Sequence, residues 1–248
     1  MPTFTLHTSS YGSDIYQTGD LYLPDVPVRA VVCLLHGGFW RMPYDRTEMA
    51  PLAAALVEDG FAVWNMEYRR LGGGGGWPET FVDVAAGIDH LAQLDLPLDK
   101  VVVAGHSAGG HLALWSVRRE GFPGVPAPRV RLHGVAGLAP VADLAAAHDL
   151  ALGRNAVAEF LGASPGGGAA RYDLASPLRR LPLGVKQLIV HGTRDEALPA
   201  ALSRAYAEAA RLVGDDIAYI EPADAGHMDF LDPGSEATLA FRSWLMSL

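Results

Sequence analysis

Val101-Val102-Val103-Ala104-Gly105-His106-Ser107-Ala108-Gly109-Gly110, followed by His111-Leu112-Ala113-Leu114-Trp115, decides how the rest of the chain is read. The unbroken Val and Ala run predicts a strand covered on both faces. The Ala- and Leu-rich segment behind it predicts a helix. Between them lies Gly-x-Ser-x-Gly, with Ser107 at the turn from strand to helix, where a serine hydroxyl is lifted out of the fold. The reason is steric. Such a hairpin forces the serine into a strained backbone conformation, and glycines at Gly105 and Gly109 let the two arms pass closely. The helix that follows also turns its positive N-terminus toward the hydroxyl. An incidental serine in a Gly-rich connection is the bland alternative, and the flanking strand and helix argue against it. No Gly-Lys-Ser/Thr ending follows, which excludes a phosphate-binding loop.

Outward from this turn, short apolar runs alternate with helical patterns, the signature of βαβ units and a parallel sheet. Phe4–Thr8 and Ile15–Leu23, joined through Tyr11-Gly12-Ser13-Asp14, predict an antiparallel edge hairpin. Further strands are expected at Ala30–Leu35, Ala62–Met66, Val101–Ala104, Leu132–Leu138, Gln187–Val190 and Ile217–Ile220. Helices are expected at Thr47–Glu58, Glu79–Leu94, Ala108–Arg119, Ala200–Leu212 and Gly234–Met246. The fold class is therefore α/β, a mostly parallel sheet of about eight strands with helices on both faces. Residues 1–248 are read as one such domain, with an irregular stretch at 140–183 forming a small cap over the carboxyl ends of the strands, where open sheets bind ligands.

A nucleophilic serine needs an imidazole to take its proton and a carboxylate to orient that imidazole. In this architecture the chain order is Ser, then acid, then His. The run Lys186–Val190 ends in His191-Gly192-Thr193-Arg194-Asp195-Glu196, which puts Asp195 in a loop after a strand. Glu196 is the neighbouring alternative, better suited to a solvated helix start. Of nine histidines, His227 follows the last strand in Ala225-Gly226-His227-Met228-Asp229-Phe230, where Gly226 lets the loop bend back. His191 precedes the acid on the same strand end and cannot easily face Ser107, while His90, His133 and His148 fall in contexts where a packed or solvated histidine is expected.

The oxyanion formed on attack must meet fixed N–H donors, each worth about 3–4 kcal/mol. His36-Gly37-Gly38-Phe39-Trp40-Arg41, directly after a strand, offers the N–H of Gly38 or Phe39, and Ala108 offers the second. His36 is read as shaping this loop. His106 and Trp40 are assigned to the substrate pocket, although Trp40 suits the core equally.

Composition narrows the classes. With 28 acidic against 19 basic residues the net charge is −9, which argues against nucleic acid as a partner. The one cysteine, Cys33, lies in an apolar run, so a buried thiol and a reducing compartment are expected. No leader is visible at Met1-Pro2-Thr3-Phe4 and no apolar stretch nears the ~20 residues of a membrane span. A cytoplasmic location without a membrane partner is expected, with a homodimer left open. No metal or dinucleotide motif is present, so no cofactor is expected.

At these residues the chain resembles the α/β-hydrolase superfamily over nearly its full length. His36-Gly37-Gly38-Phe39-Trp40 is similar to the H-G-G-x-W motif of kynurenine formamidases and their esterase relatives. Asn65-Met66-Glu67-Tyr68-Arg69, Ala175-Ser176-Pro177-Leu178 and Gly226-His227-Met228-Asp229-Phe230 resemble segments of the same group and of hydrolases near prolyl oligopeptidase. The resemblance implies a serine hydrolase with Ser107, Asp195 and His227 as its triad, acting on a small ester. An arylformamidase, a short-peptide or aminoacyl hydrolase, and a non-catalytic binding module are the alternatives. Two departures stand out: Glu67 in a segment that more often reads Asn-Tyr-Arg, and five glycines at Gly72–Gly76, either a lid or a plain loop.

Overall fold

The β-branched runs pair into one eight-stranded sheet in a computed structural model that describes residues 4–248. The Met1–Thr3 part of the segment read for a leader lies outside the described residues. Strand order is β1-β2-β4-β3-β5-β6-β7-β8. β1 (Phe4–Ser10) and β2 (Thr18–Pro24) form the expected edge hairpin, and β2 also runs antiparallel to β4 (Ala62–Met66). β3 (Val31–Leu35), β5 (Val101–His106), β6 (Gly134–Leu138), β7 (Lys186–Val190) and β8 (Ile217–Ile220) continue in parallel from β4.

Because strand side chains alternate between faces, consecutive buried residues feed two cores. Cys33, Leu35, Val101 and Val103 pack beneath α2 (Glu79–His90), α3 (Ala108–Ser116) and α7 (Ala200–Leu212). Val32, Leu34, Val102 and Ala104 face α1 (Ala50–Glu58) and α8 (Glu236–Met246). This two-faced, mostly parallel sheet is the α/β-hydrolase fold. Cys33 is fully buried, and burial pushes its thiol pKa up, as expected of a small packed hydrophobe.

The segment after β6 holds short helical pieces that the sequence did not reveal, α4 (Leu144–Asp149), α5 (Leu152–Leu161) and α6 (Pro165–Ala175). It stays irregular between them: Gly153, Arg154 and Asn155 are left-handed and Gly168 breaks α6. Asp143 caps α4 by accepting from the N–H groups of Ala145 and Ala146. Pro165 occupies the first turn of α6, where its missing N–H costs nothing. The five-glycine tract is a tied turn: the N–H groups of Gly73 and Gly75 both donate to the Arg70 carbonyl, and Trp77 N donates to the Phe160 carbonyl. Trp77 packs against Phe81 and Phe122 instead of projecting as a tip. Among the described residues no helix is long and apolar enough to cross a membrane, and no group of three or more His, Cys, Asp or Glu is placed to hold a metal.

Candidate active site

Ser107 ends β5 and begins α3 at φ 55°, ψ −116°, a region that a serine enters only under constraint. Backbone contacts impose it. A Cβ on Gly105 would lie 2.3 Å from the Gly109 carbonyl oxygen, and one on Gly109 would lie 2.1 Å from the Leu35 carbonyl oxygen. The elbow is thus pressed against the end of β3, beside the expected oxyanion loop. Ser107 N donates to the Leu138 carbonyl at 2.8 Å, which secures it to β6 as well.

Asp195 and His227 come together from loops far apart in sequence, with His227 Nδ1 donating to Asp195 Oδ2 at 2.6 Å. The other carboxylate oxygen accepts from the N–H groups of Ala197 and Leu198 at 2.9 and 2.8 Å. His191, set aside as a base because it precedes the acid on the same strand end, also points Nε2 at Asp195 Oδ2, 3.1 Å away. Its Nδ1 meets the Ser203 hydroxyl at 2.7 Å. Burial alone would raise the Asp195 pKa, but the bonds from His191 and His227 outweigh it and hold the carboxyl well below its usual range. A histidine at the end of the strand preceding the acid was the signal that could have revealed this second imidazole.

His106 precedes Ser107 and reaches His227. Its Nε2 donates to the His227 carbonyl at 2.8 Å, and the two rings lie 4.7 Å apart. A carbonyl can only accept, so the ring proton sits on Nε2. Burial, reinforced by His227, pushes the His106 pKa down to about 3, which keeps the ring neutral. His106 therefore fixes the loop that carries His227.

Ser107, His106, His227, Gly38 and Phe39 line one cavity of about 90 Å³. Ser107 and His227 both line it without a hydrogen bond between their side chains; such contacts commonly tighten only around substrate. Tyr44, Glu48 and Met228 complete its walls, and sequence reasoning missed all three. A wider groove of about 740 Å³, lined by Arg118, Arg119, Arg129 and Arg131, contains no member of this set.

The loop expected to receive the oxyanion is a tight turn closed by Arg41 N donating to the Gly38 carbonyl at 3.0 Å. Gly38, Phe39 and Trp40 all have positive φ, at 95°, 50° and 56°. A side chain at Gly38 would collide with Tyr44, since a Cβ on Gly38 would lie 2.3 Å from the Tyr44 Cβ. Beneath the turn, His36 Nε2 donates to Glu67 Oε1 at 2.8 Å, and Tyr68 donates through its hydroxyl to the His36 carbonyl at 2.7 Å. Glu67 also accepts from the N–H groups of Tyr68 and Arg46. The departure at Glu67 thus supplies the carboxylate that anchors the loop.

Trp40 is a correction to the pocket assignment. Its left-handed backbone turns the ring inward, where it is 1 % exposed and stacks on Phe160 at 4.5 Å. The indole N–H donates to His111 Nδ1 at 3.2 Å, and His111 Nε2 donates to the Ala175 carbonyl. Phe39 meets Gly153 instead, and Arg41 donates to the Gly153 carbonyl and to Glu159, tying the oxyanion loop to α5.

With Asp195 held low and His106 held neutral, neither adds an ionisation on the acid side. We expect kcat/KM for a neutral ester to fall on that side with a limiting slope of one. A slope of two, read from a pH–rate profile, would mean that a second group titrates with the base.

Esterase LipQ of Mycobacterium tuberculosis is 27% identical over 235 residues, covering 86% of this chain and 53% of its own length. The chain thus spans about half the length of that curated relative. A truncated carbohydrate esterase from gut microbiota superposes with a TM-score of 0.79 at 19% identity, covering 98% of this chain and 95% of that one. Esterase B from Lactobacillus rhamnosis gives a TM-score of 0.81 at 20% identity, covering 98% and 84%. The BD-FAE family matches residues 19–209, a span that contains Ser107 and Asp195 and ends before His227. That match takes in well over half of the residues, and the chain belongs to the BD-FAE family.

Proposed function

We propose that the chain is a carboxylic ester hydrolase acting through an acyl-enzyme on Ser107. The observation that carries this reading is the 2.6 Å bond between His227 and Asp195, with the imidazole facing the cavity that holds a strained Ser107. Ser107 Oγ attacks the ester carbonyl while His227 Nε2 takes its proton. Asp195 keeps the imidazole proton on Nδ1 and stabilises the imidazolium. The N–H groups of Ala108 and of Gly38 or Phe39 receive the oxyanion. Collapse of the tetrahedral intermediate breaks the bond to the alkoxy oxygen, which leaves as the alcohol with the proton from His227. Water then attacks the acyl-enzyme by the same route, giving the acid and free Ser107. The helical segment 140–183 acts as a cap. The esterase relatives support the reaction class.

Substrate size follows from the cavity. At about 90 Å³ the cavity is small. Each methylene that fits gains ~0.8 kcal/mol, and the gain ends once the chain protrudes. We expect kcat/KM on p-nitrophenyl esters to be highest at acetate or butyrate and lower at octanoate and palmitate. A steady rise to palmitate would contradict a small acyl site. N-formylkynurenine in the same panel tests the formamidase alternative.

A further inference from the structure

Two cavity-wall residues have no part in the chemistry above. Tyr44 and Glu48 sit four positions apart around the short helical turn Arg46–Met49, and both face the cavity that holds Ser107 and His227. Asp45 begins that turn by accepting from Thr47 N at 2.9 Å, which sets its direction. Tyr44 is fixed at its backbone, where Arg70 donates to its carbonyl, while the residue remains 45 % exposed. Its ring lies against Gly38 and the residue lines the cavity that also holds Ser107.

The local cations leave two carboxylates over, Asp45, whose Oδ1 is held by Thr47, and Glu48, which faces the cavity. Arg46 pairs with Asp20 at 2.7 Å, and Arg70 and His36 pair with Glu67 at 3.4 and 2.8 Å. Arg41 pairs with Glu159. Glu48 makes no ion pair among the described residues. Burial raises its pKa, with Asp45 and Glu67 adding to the rise and His36 opposing it, as for a carboxylate short of a cation. A neutral polyol would supply hydrogen bonds but leave that charge uncompensated.

A carboxylate and a part-exposed aromatic residue on one wall suit an organic cation, through Coulomb attraction and the ring quadrupole together. A net charge of −9 adds long-range attraction of the same sign. We propose that Tyr44 and Glu48 form a subsite for an ammonium group carried by the ester substrate. The subsite rests on the hydrolase reading and narrows it from small esters to those with a cationic arm.

The test compares the acetate ester of choline with 3,3-dimethylbutyl acetate, which has the same shape but carbon in place of the charged nitrogen. Both are assayed at low salt beside p-nitrophenyl acetate, for the wild type, Glu48→Gln and Tyr44→Leu. The subsite predicts about a tenfold preference in kcat/KM for the choline ester in the wild type. That preference should collapse toward one in Glu48→Gln and shrink in Tyr44→Leu. Equal rates on the two esters, or a preference that survives Glu48→Gln, would overturn the subsite. So would an enzyme that cleaves p-nitrophenyl acetate and neither of the pair. Failure to cleave p-nitrophenyl acetate itself would instead remove the hydrolase reading.

Discussion

Ser107→Ala is expected to lower kcat for p-nitrophenyl acetate by about a million-fold, the scale set by removing a nucleophile whose partners act as a unit. The fold should not change, because alanine meets the same strain as serine at φ 55° and the elbow is held by backbone contacts through Gly105 and Gly109. An unchanged thermal unfolding curve with a vanished steady-state rate is the predicted pair of results. A residual rate within tenfold of wild type would mean that another group attacks the ester. His106, beside the serine, cannot substitute for it: its Nε2 is engaged with the His227 carbonyl and its Nδ1 is buried without a partner.

Asp195→Asn carries the second-largest effect, about 10⁴-fold in kcat. The carboxylate accepts from His227, His191, Ala197 N and Leu198 N. An amide offers one accepting oxygen and one donating NH₂. If the oxygen stays on the backbone pair, the NH₂ faces two imidazoles and favours the tautomer of His227 with its proton on the wrong nitrogen. If the amide turns round, two buried N–H groups lose their acceptor, at about 1–3 kcal/mol each. Asp195→Asn should therefore lower both kcat and the unfolding temperature, whereas Glu196→Gln should change neither appreciably. A larger loss of kcat in Glu196→Gln would move the acid to the neighbouring carboxylate.

Features imposed by one tight local constraint were readable from sequence. Gly105-His106-Ser107-Ala108-Gly109 has few conformations open to it between a strand and a helix, and its expected geometry is present in full. Strands such as Ala62–Met66 and Ile217–Ile220 were placed to the residue, because they are short apolar runs bounded by polar or turn-forming residues. Asp195 and His227 followed from chain order after strands, and the 2.6 Å contact joins them.

Features set by distant partners were not readable. Ser164-Pro165-Gly166-Gly167-Gly168 reads as a break, and Gly168 does leave the helical region, yet a helical turn starts at Pro165, which suits a first turn, and the insertion packs on the core through Tyr172 and Ala175. Trp40 looked equally able to line a pocket. Its inward turn depends on Phe160 and His111, which lie far along the chain. Tyr44 and Glu48 carried no local mark of function. They reach the cavity only because the chain after the oxyanion loop doubles back over Gly38, a path decided by Asn65, Glu67 and Arg70 on the neighbouring strand end.

Covalent capture of the nucleophile tests the central claim most directly. A fluorophosphonate probe should add one adduct per chain, measured by intact-protein mass, and peptide mapping should place it on Ser107. The adduct should disappear in Ser107→Ala and form far more slowly in Asp195→Asn, since the same base activates the hydroxyl toward phosphorus as toward a carbonyl. An adduct that persists in Ser107→Ala, or a wild-type protein that takes up none, would contradict the assignment of Ser107, His227 and Asp195 as a working triad.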